Sequence, residues 1–369
     1  MAAINLGAKK RATFHDLRVS EVRPLTENSV EVTFEVPQEL AEDYRYLAGQ
    51  HLALRTTIDG EDLRRSYSIC RPPADGKISV AVKRDFGGVF STWVNDELRA
   101  GDTLQVMTPQ GAFTSNLDEL AGRHVVGIAA GSGITPIITM AHRVLAQSDT
   151  SRFDLLFTNR STVDVMFVEE LADLKDRYPQ RFALHHVLSR EQRSAPILSG
   201  RLDEERLRTI LREMIPVGRA DEWVLCGPFD LVQLCRDLLA EHEVPSSHVR
   251  FELFTTGEPG AQVPRARPVE VRSGEKTVVI DFTLDGTSAS VESPVAANET
   301  VLNAALRVRP DVPFACAGGV CGTCRARVIE GSVSMTENYA LEADEIERGY
   351  VLTCQSHPQS ERLVVDYDA

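Results

Sequence analysis

The sequence has no apolar run long enough to cross a membrane. No stretch of about eighteen apolar residues occurs, and the first eleven residues contain no apolar core of the kind a signal peptide needs. Lys and Arg form no long run, so nothing favours a nucleic-acid surface. The histidines show no metal-ligand spacing, and His185-His186 falls in a strand pattern, which favours a structural role. These absences predict a cytoplasmic protein without membrane or nucleic-acid partners.

Length and charge set the next limits. At about 150 residues per domain, a chain of 369 residues predicts two or three domains. Residues 271–369 contain 15 acidic and 8 basic side chains, which accounts for half of the net charge of −14. An acidic surface in this last quarter would suit a basic patch on a partner, although acidic surfaces also simply keep proteins soluble.

Four of the seven cysteines form a pattern. Cys316, Cys321 and Cys324 have the spacing C-x4-C-x2-C, and Cys354 follows after a long gap. This is the ligand pattern of a plant-type [2Fe–2S] cluster. Glycines 318, 319 and 322 lie between the first three, where they permit positive φ and close approach of backbone N–H groups. A structural zinc site usually has paired C-x2-C knuckles, and disulfides would require export, so the pattern favours the cluster.

The other three cysteines, Cys70, Cys226 and Cys235, leave an odd total. Free cysteines beside a cluster favour a reducing cytosol. Cys235 falls on a helix pattern and is interpreted as core. Cys226 is interpreted either as a buried small residue or as part of a ligand site.

Residues 11–116 predict a small antiparallel barrel. Apolar residues alternate with polar ones over Val30–Val36 and Ile78–Val82, which predicts half-buried strands. On a strand, Arg65 and Tyr67 would point to one face and Ser68 to the other. The turn at Gly87-Gly88 precedes Ser91-Thr92 and an apolar segment. This order predicts a helix with a Ser/Thr cap, either a plain cap or a pyrophosphate site.

Residues 117–255 predict a parallel sheet with helices on both faces. The strand pattern His124–Ala130 is followed by the glycine turn Gly131–Pro136 and a helical pattern, which together form a nucleotide-binding βα unit. Further strand patterns span 153–158, 182–188 and 223–228. Ligands bind at the carboxyl ends of such strands. The residues that fall at these ends are Gly131, Arg160, Arg190 and Cys226.

The second of these strands ends in Asn159-Arg160, where NAD sites usually place an acidic residue. An Arg at this place suits a 2′-phosphate, so NADPH is favoured over NADH. Residues 256–269 are rich in Gly and Pro and predict a flexible linker. Residues 270–369 then show strand patterns on both sides of a short helix pattern at Glu299–Val308 and of the cysteine loop.

The order of these motifs resembles the ferredoxin–NADP reductase superfamily followed by a ferredoxin. Over about residues 12–369, the chain resembles the reductase subunits of phenylacetyl-CoA 1,2-epoxidases. The residues that carry this resemblance are Thr13–His15, Leu63–Cys70, Ala129–Pro136, Gly318–Cys321, Asn338–Glu342 and Val364–Ala369. The resemblance implies a multidomain fold: an antiparallel β-barrel flavin domain, an α/β parallel-sheet nicotinamide domain and a β-grasp (α+β) ferredoxin domain.

The resemblance also implies the roles of individual residues. Arg65 would pair with a phosphate of FAD, Tyr67 would cover the isoalloxazine, and Ser68 would hydrogen-bond near its N5 atom. The cluster ligands would be the four cysteines named above, and no side chain would act as catalytic acid, base or nucleophile. The implied cofactor-binding residues are Arg65, Tyr67, Ser68, Lys83, Gly88, Ser91, Gly131, Gly133, Thr135, Pro136, Arg160, Ser189, Arg190, Cys226, Gly227 and Pro228.

The implied activity is electron transfer from NADPH through FAD and [2Fe–2S] to a diiron oxygenase that epoxidises phenylacetyl-CoA in aerobic phenylacetate degradation. A reductase for another oxygenase, such as a steroid-ring hydroxylase, has the same order of modules and remains an alternative. A redox sensor or structural iron–sulfur protein would not need the three nucleotide-site motifs. Ala317 stands where close relatives are expected to have Lys, which leaves the identity of the partner open.

Overall fold

A computed structural model of the chain describes residues 12–111, 113, 117–254, 269, 274–314, 316–341 and 343–369. They fall into two compact units, one within Phe14–Gly257 and the other within Glu258–Ala369. The predicted linker, residues 256–269, lies outside the described residues except for Val269. The predicted division at residue 116 falls inside the first unit and stays a prediction. No helix in the described part of the chain is long and apolar enough to cross a membrane.

The first unit begins with an antiparallel barrel. Its sheet has the order β4-β3-β6-β1-β2-β5. Ile69, directly after β4, pairs with Val80 of β5 and so brings the two edges of the sheet together. The predicted barrel is thereby confirmed. Its elements are β1 (Phe14–Thr26), β2 (Ser29–Glu35), β3 (His51–Ile58), β4 (Glu61–Ser68), β5 (Lys77–Lys83), α1 (Val89–Asp96) and β6 (Thr103–Met107).

The expectation that β2 and β5 are half-buried is wrong, because their polar positions are buried as well. Glu31 is 4% exposed, Thr33 9% and Ser79 6%. The hydroxyl groups of Thr33 and Ser79 form a hydrogen bond with each other at 2.9 Å. On this side of the barrel, Cys70 and Ala81 belong to the hydrophobic core of the parallel-sheet region. Both faces of these strands are therefore covered by protein.

The helix α1 starts one turn earlier than expected. Its N-cap is Gly88, which makes no side-chain cap bond, so the predicted Ser/Thr cap is wrong. Phe90 and Val94, one turn apart, are buried in the barrel core, and this packing extends the helix towards its N-terminus. Ser91 instead lies in the first turn. Its Oγ accepts from the Asp85 N–H at 3.0 Å and donates to the Gly88 carbonyl at 3.3 Å.

The rest of the first unit is the predicted parallel sheet, with the order β11-β10-β7-β8-β9. Val125 lies in the core on the side of α2 and α3, whereas its neighbour Val126 is buried on the opposite face, so both faces are covered. The chain moves outward from β7 to β9 and then returns to the other side of β7. The elements are β7 (His124–Ala130), α2 (Ile134–Gln147), β8 (Arg152–Asn159), α3 (Val168–Arg177), β9 (Phe182–Leu188), α4 (Glu204–Glu213), β10 (Glu222–Gly227), α5 (Phe229–Glu241) and β11 (Val249–Leu253).

The second unit contains a mixed sheet of order β13-β12-β18-β14-β16 and a separate ribbon of β15 with β17. β12 and β18 run parallel, and the other neighbours run antiparallel. A short helix shares a core with the sheet, which confirms the β-grasp fold. The elements are β12 (Thr277–Leu284), β13 (Thr287–Pro294), α6 (Val301–Leu306), β14 (Arg325–Glu330), β15 (Val333–Met335), α7 (Ala343–Glu347), β16 (Tyr350–Leu352), β17 (Ser356–Pro358) and β18 (Arg362–Asp366).

The turn after β14 depends on a glycine for two reasons. Gly331 has a φ of +87°, and a Cβ built on it would lie 2.4 Å from the Arg362 carbonyl oxygen. Gly286, in the β12–β13 turn, also has a positive φ of +66°, but no atom lies within 4 Å of its Cβ position. Both positions need a left-handed backbone, but only at Gly331 does a neighbouring atom block the Cβ position. Alanine at Gly286 is therefore the matched control for alanine at Gly331.

We predict that Gly331→Ala destabilises the second unit far more than Gly286→Ala. The second change should lower the free energy of unfolding by about 1 kcal/mol, and the first by about 3 kcal/mol or more, because the clash adds to the cost of the left-handed backbone. Calorimetric unfolding of the full chain measures both. Equal destabilisation would contradict the close approach at Gly331.

Candidate functional site

The four cysteines of the second unit form two pairs of thiols. Cys316 and Cys321 are hydrogen-bonded neighbours, and so are Cys324 and Cys354. The second pair is buried and the first pair is half-buried. The neighbouring thiol and burial raise the pKa of Cys316 well above its usual range, and the same two causes act on Cys324. Four such thiols become thiolates together only when cations lie among them.

The loop that carries the first three cysteines is built from left-handed residues and cross-loop hydrogen bonds. Positive φ values occur at Ala317 (56°), Gly319 (75°) and Gly322 (67°). The side-chain amide of Gln355 donates to the Ala317 carbonyl at 2.7 Å and lies 3.8 Å from the sulfur of the neighbouring Cys354. The Tyr339 N–H donates to the Gly319 carbonyl at 3.0 Å. The segment that carries Cys354 and the cysteine loop are thereby held in one position.

The paired arrangement suits two irons better than one zinc ion. Among the described residues, no group of three or more His, Cys, Asp or Glu side chains converges on a single metal position. A zinc site would require four sulfurs at about 2.3 Å from one centre. Two pairs of sulfurs are instead what a [2Fe–2S] cluster takes from a protein, two for each iron. The donor set therefore fits the predicted cluster, with Cys316, Cys321, Cys324 and Cys354 as the residues that could hold it.

In the first unit, the candidate nicotinamide site lies at the carboxyl edge of the parallel sheet, where the strand order reverses between β7 and β10. Such a switch point is where open α/β sheets bind ligands. The turn after β7 and the end of β10 approach each other closely, because a Cβ on Gly133 would lie 2.2 Å from the Cys226 carbonyl oxygen. At Gly227 the space is less tight, because a Cβ there would lie 3.0 Å from the Cβ of Ala130. Glycine is thus required at position 133, where two backbones are in contact.

Two barrel residues reach this edge of the sheet. The Lys83 ammonium, at the end of β5, lies 3.4 Å from the Cβ position of Gly131. Burial and the positive charge of Arg160 lower the pKa of Lys83, and Asp164 partly offsets this. The Ser68 hydroxyl, at the end of β4, donates to the Glu252 carboxylate at 3.2 Å. The barrel therefore meets the sheet at the predicted ligand edge.

Glu252 is a residue of this site that sequence reasoning missed. It lies on β11 directly beside Cys226 of β10, and burial raises the pKa of the Cys226 thiol well above its usual range. The thiol is therefore neutral at the junction. No local signal could have indicated Glu252, because it stands in the short strand Val249–Leu253 with no motif around it.

The predicted flavin residues of the barrel lie along β4 and α1. The Tyr67 ring is 6.0 Å from the Phe90 ring of α1, and burial raises the pKa of Tyr67. The charges of Arg65 and Asp85 have opposite effects on the pKa of Tyr67, which Arg65 lowers and Asp85 raises. Arg65 itself donates to the carbonyl of the preceding residue at 2.7 Å. The structure thus brings the β4 residues and the Gly88 turn to one side of the barrel.

The predicted 2′-phosphate residues follow two adjacent strands. The Arg190 N–H donates to the Arg160 carbonyl at 2.7 Å, and the Ser189 N–H donates to the Asn159 carbonyl at 2.9 Å. Both arginines are exposed. The turns after β8 and β9 are therefore joined by their backbones and present two cations to solvent.

The remaining predicted residues belong to the turns that follow β7 and β10. Within α2, Thr135 and Pro136 are buried, and the Thr135 hydroxyl donates to the Ser132 carbonyl at 3.0 Å. Pro228, directly after β10, is exposed and is the N-cap residue of α5. The first helical turn of α2 and the start of α5 thus lie at the same edge of the sheet.

Comparison with known proteins agrees with this arrangement. Residues 16–115 match the oxidoreductase FAD-binding domain, residues 128–237 the oxidoreductase NAD-binding domain, and residues 282–359 the 2Fe-2S iron-sulfur cluster binding domain. The E subunit of the 1,2-phenylacetyl-CoA epoxidase of Escherichia coli (strain K12) is 43% identical over 359 residues, which cover 97% of this chain and 98% of the relative. This chain belongs to that family of three-domain flavin and iron–sulfur oxidoreductases.

Other members and structures have the same organisation. The ferredoxin reductase component of the 3-ketosteroid-9-alpha-monooxygenase of Rhodococcus rhodochrous is 32% identical, with 95% of this chain and 96% of the relative covered. Phthalate dioxygenase reductase has a TM-score of 0.58 at 24% identity, and the match covers 96% of this chain and 98% of that structure. That likeness shows the fold. The predicted cofactor classes, FAD, a nicotinamide nucleotide and a 2Fe-2S cluster, are confirmed at the level of domains.

We predict that Gly133→Ala opens the contact between the β7 turn and β10. The added methyl group would occupy the position 2.2 Å from the Cys226 carbonyl oxygen, so one of the two backbones must move. The change should lower the free energy of unfolding of the first unit by about 2 kcal/mol or more and weaken nicotinamide nucleotide binding.

The control is Gly218→Ala, because no atom lies within 4 Å of the Cβ position of Gly218 and its φ is not positive. Its effect on stability should stay within about 0.5 kcal/mol. Thermal unfolding and nucleotide titration of both variants make the comparison. A Gly133→Ala protein that matches Gly218→Ala in both measurements would show that the two backbones are not in contact.

Proposed function

We propose that this protein is an NADPH-dependent reductase that delivers electrons through FAD and a [2Fe–2S] cluster to the diiron oxygenase of a phenylacetyl-CoA epoxidase. The observation that carries the reductase assignment is the contact of Ser68 with Glu252, which joins the flavin strand of the barrel to the switch point of the sheet. The partner is supported by the 43% identity to the E subunit of such an epoxidase.

The proposal gives each part of the chain one task. When bound, the flavin takes a hydride from the nicotinamide, and the cluster carries single electrons. Arg65, Tyr67 and Ser68 would hold FAD, together with the Gly88 turn and Ser91. The four paired cysteines would hold the cluster. Because the cofactors supply the chemistry, the protein has to bind, orient and shield them, and no catalytic side chain is proposed.

The charge and burial of residues at the carboxyl edge of the sheet suit the binding and shielding of a nicotinamide nucleotide. Lys83 places a cation beside the Gly131 turn, where a nucleotide phosphate would gain from it. Cys226 is 1% exposed and neutral, so it keeps water from its side of the junction without adding charge. The backbone contact at Gly133 leaves no room for a side chain at that position. We propose that the residues of the turns after β7 and β10 also form part of the nicotinamide site. These residues are Gly131, Thr135, Pro136, Gly227 and Pro228.

Preference for NADPH is proposed from the charges that follow β8 and β9. Arg160 and Arg190 are adjacent and exposed, and the nearby carboxylates are already engaged. Glu191 accepts from the N–H and hydroxyl of Thr162 at 2.6 and 2.7 Å, and Asp164 accepts from the Ser161 hydroxyl at 2.5 Å. In this proposal, the two arginines and the Ser189 hydroxyl would bind the 2′-phosphate.

A cytoplasmic location is proposed on the chemistry of the thiols. All seven cysteines are free. The four candidate ligands must be reduced to bind iron, and reducing compartments keep thiols in that form.

We predict that Arg160→Ala combined with Arg190→Ala removes the preference for NADPH. Loss of the charge-assisted hydrogen bonds to a 2′-phosphate should lower kcat/KM for NADPH by about tenfold or more, and change the NADH value by less than about threefold. The control is Arg212→Ala on α4, where the guanidinium pairs with Glu213 at the surface. Steady-state kinetics with NADPH and with NADH measure kcat/KM for each variant. Parallel losses with NADPH and NADH would contradict the 2′-phosphate assignment.

The function is tested by a coupled assay with the full chain, NADPH, purified phenylacetyl-CoA oxygenase components and phenylacetyl-CoA. We expect about one product molecule per NADPH consumed, because the electron path has one exit. Cys321→Ala should abolish product formation but leave NADPH-dependent reduction of an acceptor that takes electrons from the flavin. Cys235→Ala, which changes a buried thiol of α5, is the matched control and should keep both activities.

Two outcomes would change the assignment. NADPH oxidation with artificial acceptors but no epoxide would keep the reductase and move the partner to another oxygenase, for which a 3-ketosteroid 9α-monooxygenase is the first candidate on the 32% identity to its reductase. Equal loss of both activities in a folded Cys321→Ala protein would contradict separate flavin and cluster steps.

A further inference from the structure

A cluster of four charged residues joins the barrel to the parallel-sheet region. It consists of Arg23, Glu31, Arg71 and Glu170, which we call the four-charge cluster. Glu31 accepts from Arg23 at 2.7 Å and from Arg71 at 2.5 and 2.7 Å. Glu170 accepts from Arg23 at 2.5 Å and from Arg71 at 2.6 Å. Each arginine therefore bridges the same two carboxylates, and the charges alternate.

Three members of the cluster belong to the barrel, and one does not. Arg23 lies on β1, Glu31 on β2 and Arg71 just after β4, whereas Glu170 lies in the first turn of α3. Without Glu170, two arginines would share one carboxylate in a largely buried place. Glu170 makes the cluster neutral and is the member that ties the parallel-sheet region to the barrel.

The carboxylates are well buried and remain ionised. The Glu31 side chain is 5% exposed and that of Glu170 is 15% exposed. Burial alone would raise the pKa of each, but the hydrogen bonds from Arg71 and Arg23 outweigh it and lower the pKa of both. A buried ion pair is geometrically demanding, because a small displacement exposes an uncompensated charge. The cluster therefore favours one distance between the two regions.

The segment between β8 and α3 contacts the barrel at its C-terminal end. At its C-terminal end, Phe167 has a left-handed backbone with φ 60°, is buried, and lies with its ring centre 5.5 Å from the Arg71 guanidinium. Nearer its N-terminal end, Asp164 and Arg160 act on Lys83 with opposite effects on its pKa, so these charges add no anchor there. A bulky residue in the left-handed region persists only where its surroundings hold it there.

We propose that the four-charge cluster is a set of positioning residues, which hold the segment 160–167 and the nicotinamide edge of the sheet at a fixed distance from the flavin strand of the barrel. This inference rests on the proposed function. Hydride transfer requires close and exact placement of the two rings, and a misplacement of about 1 Å from a remote change can cost about 10²-fold in rate. Glu170 would act through this geometry and would touch neither ring.

The test is Glu170→Gln, which keeps the shape of the side chain and removes its charge. The matched control is Glu241→Gln, whose carboxylate accepts from Arg208 at 2.6 Å between α4 and α5, away from the barrel. The conservative variant is Glu170→Asp. All are made in the full chain, and circular dichroism and flavin content confirm folding of each.

Two quantities are measured. The first is the limiting rate of anaerobic flavin reduction at saturating NADPH, which should fall about tenfold in Glu170→Gln and stay within about twofold in Glu241→Gln. The second is deuterium uptake by residues 160–167 in nucleotide-free protein, which should become about threefold faster in Glu170→Gln only. For Glu170→Asp, the rate of flavin reduction and the deuterium uptake should both lie between the values of wild type and Glu170→Gln.

The outcomes separate this inference from the proposed function. Failure of NADPH to reduce the flavin of the wild-type protein would overturn the proposed function, and the uptake comparison would still decide whether the cluster holds the segment. A Glu170→Gln protein with unchanged rate and unchanged uptake would overturn the inference, as would equal effects of Glu241→Gln. If Glu170→Gln does not fold, the folded Glu170→Asp protein must show the lower rate and faster uptake, or the inference fails.

Discussion

Burial of the β2–β5 side of the barrel against the parallel-sheet region is the constraint on which the first unit depends. Strands that are covered on both faces must pair every polar side chain, and this explains the Thr33–Ser79 hydroxyl pair and the position of Glu31 among arginines. The same packing places Lys83 and Ser68 at the carboxyl edge of the parallel sheet. One packing surface thus positions residues of two domains for one junction.

The second unit solves a different problem, the placement of four thiols that cannot ionise together on their own. Its loop uses left-handed residues and the Gln355 side chain to hold the sulfurs in two pairs. The two pairs match the two sulfurs that each iron of a [2Fe–2S] cluster takes from a protein. Sequence spacing placed three of the sulfurs on one loop, but only the β-grasp fold brings Cys354 beside Cys324.

Two expectations are wrong because tertiary packing overrides a local sequence pattern. The β2 and β5 strands are expected from their alternation to expose one face, and α1 is expected to start at a Ser/Thr cap. Alternation of polar and apolar residues shows that one face of a strand can contact water. It cannot show that a second domain covers that face. In the same way, Ser91 has the chemistry of a cap, yet burial of Phe90 in the barrel core moves the start of the helix to Val89.

The sequence by itself determined the order of domains, the class of each fold, the four cysteines and the glycine turns, because these depend on local spacing and on periodicity along the chain. Only the tertiary structure decided which residues from distant segments meet. Glu252 reaches Ser68 across 184 positions, and Glu170 reaches Arg23 across 147. Such contacts carry no local pattern, since an isolated glutamate on a strand or helix looks like any solvated surface residue until the fold buries it.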